Sequence, residues 1–125
     1  MSQQDLDSLP SSFWKLCEIE GIKRDRNPLQ EAQQKKSVEV FMQHGYSKIE
    51  SLEYFPNITE LIIIQQDIQR IENLSCLVNL ESLWINDNPH LTTIEGLHDL
   101  KQLKKLFLFD LYHFLSNYSL SFFST

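Results

Sequence analysis

Residues 71–88, IENLSCLVNLESLWINDN, decide the fold because two apolar rhythms follow one another within them. Apolar residues first recur at every third position, at Ile71, Leu74, Leu77 and Leu80. Leu83 and Ile85 then recur at every second position, and Asn88 follows. A spacing of three suits tight helical turns, whereas alternation is the period of a strand. The stretch therefore predicts helical turns that lead into a strand, with both facing one core.

The same six apolar positions recur in two further stretches, which makes them an internal repeat. They are Ile49, Leu52, Phe55, Ile58, Leu61 and Ile63 in one, and Ile94, Leu97, Leu100, Leu103, Leu106 and Leu108 in the other. Val38 and Val40 match Leu61 and Ile63 in an earlier unit. Stacked units of this kind join their strands into a parallel sheet on the concave side of an arc, with the helical turns behind. We therefore expect an α/β solenoid.

An amphipathic helical protein is the alternative, because a period near 3.5 also places an apolar residue at every third or fourth position. That alternative predicts a continuous heptad, which the step from Leu83 to Ile85 and its equivalents break in every unit. The position of Asn88 supports the repeat, since an amide there satisfies backbone groups where the strand ends. Gln43 and Gln66 stand at the same position and would do this less well.

These residues resemble the leucine-rich-repeat family. The units follow the pattern Leu-x-x-Leu-x-Leu-x-x-Asn-x-Leu, although only one of them has the Asn itself, at Asn88. Ile71-Glu72-Asn73-Leu74 and Ile94-Glu95-Gly96-Leu97 are similar to the 22-residue class found in phosphatase-regulating and spliceosomal proteins. A narrower resemblance, to the start of a longer leucine-rich-repeat protein, is carried by Lys15 to Ile22, Phe55 to Leu61 and Leu106 to Phe109, and it covers about residues 13–110. It implies a leucine-rich-repeat solenoid and an intracellular, non-enzymatic, protein-binding role, with a ciliary or cytoskeletal assembly as the setting.

Four segments follow from these patterns. Residues 1–12 are expected to be a disordered tail, and residues 13–36 an N-terminal helical cap and connector. Residues 37–110 hold the repeats, and residues 111–125 form an atypical apolar tail without Asp, Glu, Lys or Arg. This tail suggests a truncated or alternatively ended version of a longer array. The alternative is that it folds over the last repeat as an improvised cap.

Within residues 13–36, a helix over 13–20 is expected to end before Gly21. Asn27-Pro28 is the start signal of a second helix, which we expect to be exposed. Cys17 lies between apolar residues of the first helix and is expected to be a buried structural thiol.

Composition excludes several classes of function. The 125 residues carry a formal net charge of -6, which opposes binding to a nucleic-acid backbone. The N-terminus lacks a secretory signal, and no apolar run reaches the length of a membrane span, so we expect a cytoplasmic chain with no membrane partner. No catalytic constellation, metal-ligand spacing or phosphate-binding glycine loop is present, which predicts neither enzyme nor cofactor.

Strand alternation also predicts a binding surface, because the residues between the core positions face the other side of the sheet. Ile62, Trp84 and Phe107 should adjoin across neighbouring strands, and we name these three residues the aromatic ridge. The predicted partner-binding residues are Glu39, Phe41, Ile62, Ile64, Trp84, Asn86, Asp87, Phe107, Phe109 and Asp110. Trp84 is the expected anchor, and the acidic residues favour a partner with a basic rim.

Three interpretations of function compete. The first is a scaffold that binds a helix or extended segment of a protein partner on the ridge. The second is a regulatory subunit that docks on a protein phosphatase, which the repeat class makes conceivable. An enzyme is the third and has no sequence support. For the ridge itself, the alternative to a partner is that the apolar tail covers it in the same chain.

Overall fold

The computed structural model describes residues 3–41 and 45–108, and in these ranges the chain is a mixed α/β protein with few helices. The helices are α1 (Gln3–Asp7), α2 (Ser11–Glu20) and α3 (Pro28–Gln34). The main sheet is parallel and joins, in spatial order, β1 (Ser37–Val40), β2 (Glu60–Ile64), β4 (Ser82–Asn86) and β6 (Lys105–Phe107). A second parallel pair consists of β3 (Arg70–Ile71) and β5 (Thr93–Ile94). The prediction of a mixed α/β fold with parallel strands is confirmed.

The register of the main sheet follows the sequence repeat. Val38 pairs with Leu61, Leu61 with Leu83, and Leu83 with Leu106. One step of 22 or 23 residues along the chain is therefore one step across the sheet. Val38, Leu61 and Leu83 are fully buried, and Leu106 is partly buried against the same core. The positions that superpose in sequence thus stack in space.

The three-residue spacing corresponds to tight turns closed by backbone hydrogen bonds. The N–H of Leu77 donates to the carbonyl of Leu74 at 2.9 Å, and that of Leu80 to Leu77 at 3.1 Å. The other units form the short 3-10 helices Leu52–Tyr54 and Leu97–Asp99 at the equivalent place. Such turns place every third side chain on one side, and the two 3-10 helices precede β2 and β6.

Asn88 ties two neighbouring units together through its buried amide. Its Oδ1 accepts hydrogen bonds from the backbone N–H groups of Gln66 at 3.1 Å and Ile68 at 2.9 Å. Its Nδ2 donates to the carbonyl oxygens of Ile63 at 3.2 Å and Asn86 at 2.8 Å. Four backbone groups that water does not reach are satisfied by one side chain, as the sequence predicts.

Gln66 stands at the same position in the preceding unit and also bonds to the backbone. Its Nε2 donates to the carbonyl of Ile64 at 2.9 Å, and its Oε1 accepts the N–H of Tyr46 at 3.4 Å. The longer side chain reaches the turn with a less regular pattern, which agrees with the expectation from sequence. Gln43, the next equivalent, lies outside the described residues.

The helix α2 covers the first strand of the array. It buries Phe13, Leu16 and Cys17, and its C-cap Gly21 adopts the left-handed conformation with φ 74° that glycine tolerates best. Glu20 fixes the end of the helix, because its carboxylate accepts the N–H of Glu39 at 2.9 Å and pairs with Lys35 at 2.8 Å. The helix expected over 13–20 is thus observed, and it begins two residues earlier, at Ser11.

Two N-terminal features differ from expectation. The helix α1 lies within the segment expected to be a disordered tail, and Leu6 is buried there while Asp7 pairs with Arg24. The helix α3 begins at the expected proline, but Pro28 and Ala32 are buried, so one face of it packs on the domain. Both differences arise from tertiary contacts that local sequence patterns do not contain: Asp7 of α1 pairs with Arg24, and α3 contacts the 3-10 helix Leu52–Tyr54.

We predict that Asn88→Ala lowers the free energy of unfolding by about 2–4 kcal/mol, because it leaves buried backbone donors and acceptors unpaired. Asn88→Asp keeps the acceptor oxygen but loses both donated hydrogen bonds, so it should also lower the free energy of unfolding. Urea denaturation followed by circular dichroism measures both. Asn79→Ala at an exposed position is the matched control and should change the free energy by less than about 0.5 kcal/mol. Equal values for Asn79→Ala and Asn88→Ala would contradict the structural role of the amide.

Candidate functional site

The aromatic ridge forms one continuous row on the face of the sheet that points away from the core. Ile62 pairs in register with Trp84, and Trp84 with Phe107. Glu39 precedes Ile62 in the same row. Because successive side chains of a strand alternate between faces, these residues lie opposite the buried set that includes Leu61 and Leu83. The predicted adjacency of the ridge residues is therefore present in the structure.

Trp84 and Phe107 stack on each other. Their ring centroids are 3.9 Å apart and their planes differ by 23°. Both side chains stay partly exposed, as does Ile62. A stacked pair stabilises by about 0.5–1.5 kcal/mol beyond the area it buries. The rings of Trp84 and Phe107 are thus packed on each other, and part of the surface of all three ridge residues remains accessible to a ligand.

A second row runs beside the ridge. Ile64 pairs with Asn86, and Ile64 is partly exposed while Asn86 is 6% exposed. Phe41, directly after β1, is 44% exposed and is one of two large apolar side chains of the described residues with such exposure. Phe109, predicted to complete this row, lies outside the described residues. The second row thus adds exposed apolar surface at Phe41 and Ile64, whereas its Asn86 position is almost covered.

Two polar atoms on this face are buried without a hydrogen-bond partner among the described residues. They are Nε1 of Trp84, a donor, and Oδ1 of Asn86, an acceptor. Trp84 and Asn86 are two positions apart on β4, so they point to the same face about 7 Å apart. An unpaired buried polar group costs roughly 1–3 kcal/mol, and such groups in a native fold require an explanation.

The acidic companions of the ridge lie at its margins. Glu39 and Asp87 are exposed, and Asp87 has a positive φ of 56° at the point where the chain leaves β4. Asp110 lies outside the described residues. The described part of the face is therefore apolar in the middle and carries negative charge at two edges.

A separate polar cleft of about 460 Å³ lies between the start of α2 and the turns behind the sheet. It is lined by Pro10, Ser12, Glu50, Ser51, Glu53, Asn73, Ser75 and Cys76. The Ser12 and Ser51 hydroxyls are hydrogen bonded to each other at 2.6 Å. Burial raises the pKa of the Cys76 thiol, with a smaller contribution from Glu53. A protonated thiol is a poor nucleophile, so the cleft does not favour cysteine chemistry.

Cys17 is a structural thiol, as the sequence predicts. It is 1% exposed in the core, and burial raises its pKa to about 12, with a smaller contribution from the negative charge of Glu31. Within residues 3–41 and 45–108, no group of three or more His, Cys, Asp or Glu is arranged to hold a metal ion. No helix in the same ranges is long and apolar enough to cross a membrane.

Sequence reasoning identified the rows of this face but missed the burial of Asn86. Alternation specifies on which face a residue lies and not how deeply its neighbours cover it. The contact between Glu20 and the backbone of Glu39 was also missed, because the two residues are 19 positions apart. For neither feature did the sequence contain a local signal.

We predict an energetic coupling between Trp84 and Phe107. In a double-mutant cycle of Trp84→Ala and Phe107→Ala, the coupling energy from urea denaturation should be about 1 kcal/mol. The control cycle uses Phe107→Ala and Phe41→Ala, two residues of different rows at opposite edges of the sheet. Their effects on the free energy of unfolding should be additive. Additive effects for Trp84 and Phe107 would show that the stack contributes nothing.

We also predict that the two thiols differ in reactivity. With a pKa near 12, about one Cys17 thiol in ten thousand is ionised at pH 8, so it should react with an aromatic disulfide only when the chain unfolds. Cys76 is partly exposed and should react faster in the folded state. Absorbance of the released thiolate, measured in the parent, Cys17→Ala and Cys76→Ala, assigns the two rates. Equal rates in the two variants would contradict the burial of Cys17.

Two comparisons with known proteins find no match for this chain. No protein-family model matches the sequence. No solved structure matches it either. The candidate site is therefore defined by the geometry of this chain alone: an in-register apolar row, two unpaired polar atoms and acidic margins.

Proposed function

We propose that this chain is a non-enzymatic protein-protein interaction module. Its repeats form a leucine-rich-repeat solenoid, and a helix or extended segment of a partner protein binds the concave face of the sheet. The observation that carries the proposal is the register of Ile62, Trp84 and Phe107, which makes a continuous apolar row on a face that the core does not need. The proposed setting is the cytoplasm, in a ciliary or cytoskeletal assembly, as the family resemblance implies.

The residue types of the ridge support recognition of a protein. Trp is among the residues that dominate binding energy at interfaces, and a stacked neighbour holds its ring in one orientation before the partner arrives. Trp84 is held in this way by Phe107 at 3.9 Å. The indole therefore loses little conformational freedom on binding, and Trp84 is the anchor of the proposed interface.

The charges around the ridge support a partner with a basic rim. Glu39 and Asp87 are exposed at the margins of the apolar strip, and the chain carries a net charge of -6. Charges at a rim mainly accelerate association and select the partner, whereas the apolar centre supplies affinity. Nucleic acid fits this surface poorly, because its phosphates would meet the same carboxylates.

We predict that Trp84→Asp weakens partner binding by about 30-fold or more, which corresponds to the loss of a residue worth at least 2 kcal/mol at an interface. The chain and the variant are used side by side for affinity capture from cell extract, and the retained proteins are identified by mass spectrometry. The affinity of each identified partner is then measured by calorimetry with purified components.

Val78→Asp is the matched control, because Val78 is 65% exposed and belongs to the turns behind the sheet. It adds the same charge and should leave binding unchanged. Circular dichroism must show all three proteins folded. A partner lost equally from both variants, or retained by both, contradicts the ridge as the site. Phosphatase activity in the retained fraction would assign the partner to the phosphatase alternative.

A further inference from the structure

We propose that the partner segment bound on the aromatic ridge is an amphipathic helix that lies across the strands, with basic side chains at the end over β1 and β2. This helix rests on the interaction module proposed above, to whose partner it gives a conformation and a charge. Two properties of the described sheet support it, namely the spacing of the ridge residues and the uneven distribution of charge along the ridge.

The ridge residues are spaced like the turns of an α-helix. Ile62, Trp84 and Phe107 pair in register on neighbouring strands, which lie about 4.8 Å apart. Two steps along the ridge therefore cover about 9.6 Å. Two turns of a helix laid along the ridge advance about 10.8 Å, whereas two same-face steps of an extended segment advance about 13 Å. The helix therefore brings one turn to each ridge residue, and the extended segment does not.

An extended segment parallel to the strands fits the apolar pattern less well. It would contact only one of the three ridge residues, whichever strand it follows. On β4 it would meet Ser82, Trp84 and Asn86, of which only Trp84 is apolar. A helix along the ridge is about 10 Å wide, so it also reaches Phe41 and Ile64 in the second row, which lies about 6.7 Å away. The helical orientation thus covers both apolar rows at once.

Charge is distributed unevenly along the ridge. Glu39 on β1 lies in the same row as Ile62, and Glu60 lies two residues before Ile62 on the same face of β2. At the other edge of the sheet, Lys105 lies two residues before Phe107 on the same face of β6. Glu39 and Lys105 are exposed and Glu60 is partly exposed. The ion pairs between described residues involve none of the three.

A helix with Lys or Arg at one end complements these charges in one orientation. With its basic end over β1 and β2 it meets the carboxylates of Glu39 and Glu60, whereas in the reverse orientation it would meet the ammonium group of Lys105. Like charges placed against each other at an interface oppose binding. The three strand steps from β1 to β6 cover about 14 Å, which corresponds to about 10 residues of helix. A short helix therefore suffices.

The test uses three synthetic peptides of about 14 residues, which as helices span the four strands. Two are held helical by a lactam bridge on the polar face and carry Leu at i, i+3, i+4 and i+7. The basic probe has Lys at three positions of its last turn, and the acidic probe has Glu there. The extended probe has the composition of the basic probe, lacks the bridge and carries Leu at alternate positions. Fluorescence anisotropy at low salt measures each dissociation constant.

We expect the parent chain to bind the basic probe at least about tenfold more tightly than either of the other two probes. Benzoylphenylalanine placed beside the Lys residues of the basic probe should cross-link on irradiation to residues of β1 or β2. Placed at the opposite end of the probe, it should cross-link to β6. These measurements use the unsubstituted chain, so they do not depend on the folding of any variant. Equal affinities for the three probes, or the reverse pattern of cross-links, would overturn the proposal.

Charge reversal on the protein gives an independent measurement. Glu39→Lys with Glu60→Lys should weaken binding of the basic probe about tenfold and strengthen binding of the acidic probe, because the charges that face the probe change sign. Glu18→Lys with Glu53→Lys is the matched control, since it changes the net charge equally at exposed residues of α2 and of the 3-10 helix Leu52–Tyr54. Circular dichroism must show both variants folded. Equal effects of the two double substitutions would assign the preference to net charge and overturn the proposal.

The outcomes separate this helix from the proposed function. If Trp84→Asp abolishes capture of a partner from extract but the basic probe binds no better than the other two, the module stands and the basic helix fails. If the basic probe shows the expected preferences, loses them with Trp84→Asp, and no protein in the extract depends on Trp84, the helix chemistry stands and the proposed function fails. If Trp84→Asp leaves the affinity for the basic probe unchanged, the probe does not bind on the ridge and the proposal is wrong.

Discussion

The amide of Asn88 links two neighbouring units through four backbone hydrogen bonds, and the spacing of the whole sheet follows from what this link requires. Where the chain turns at the end of a strand, its N–H and C=O groups face the interior and need partners there. A single amide supplies both a donor and an acceptor. In the preceding unit Gln66 brings an amide to the same point, where its Oε1 accepts the N–H of Tyr46 and its Nε2 donates to the carbonyl of Ile64. This requirement favours a fixed unit length.

A fixed unit length has a consequence for the opposite face of the sheet. Because Leu61 pairs with Leu83, the residues that follow each of them are also in register, and Ile62 meets Trp84. The core does not require these outward residues to be apolar, since the inward positions are already fully buried. The apolar row on this face is therefore a consequence of the register and not of the core. Within it, Trp84 stacks on Phe107 with ring centroids 3.9 Å apart.

The sequence predicts the features of this architecture that depend on period alone. The strands containing Leu61, Leu83 and Leu106, the turns before them and the role of Asn88 all follow from regular spacing, because side-chain direction in strands and turns is fixed by backbone geometry. The helix α1 and the burial of Asn86 could not be predicted in this way. The first is held by contacts such as Asp7 with Arg24, and the second depends on side chains from neighbouring strands. Both are properties of the assembled fold.

The two edge strands of the main sheet differ in how well the described residues cover them. At the first strand, α2 lays Phe13 and Leu16 over the core, and both are fully buried. At the last strand, Leu106 is only partly buried, and Ile94 of the same unit keeps 8% of its surface exposed. Repeat arrays need a cover at each end, because a terminal unit has a neighbour on one side only. Leu106 and Phe107 are adjacent in β6, so their side chains point to opposite faces of the sheet, and both remain partly exposed.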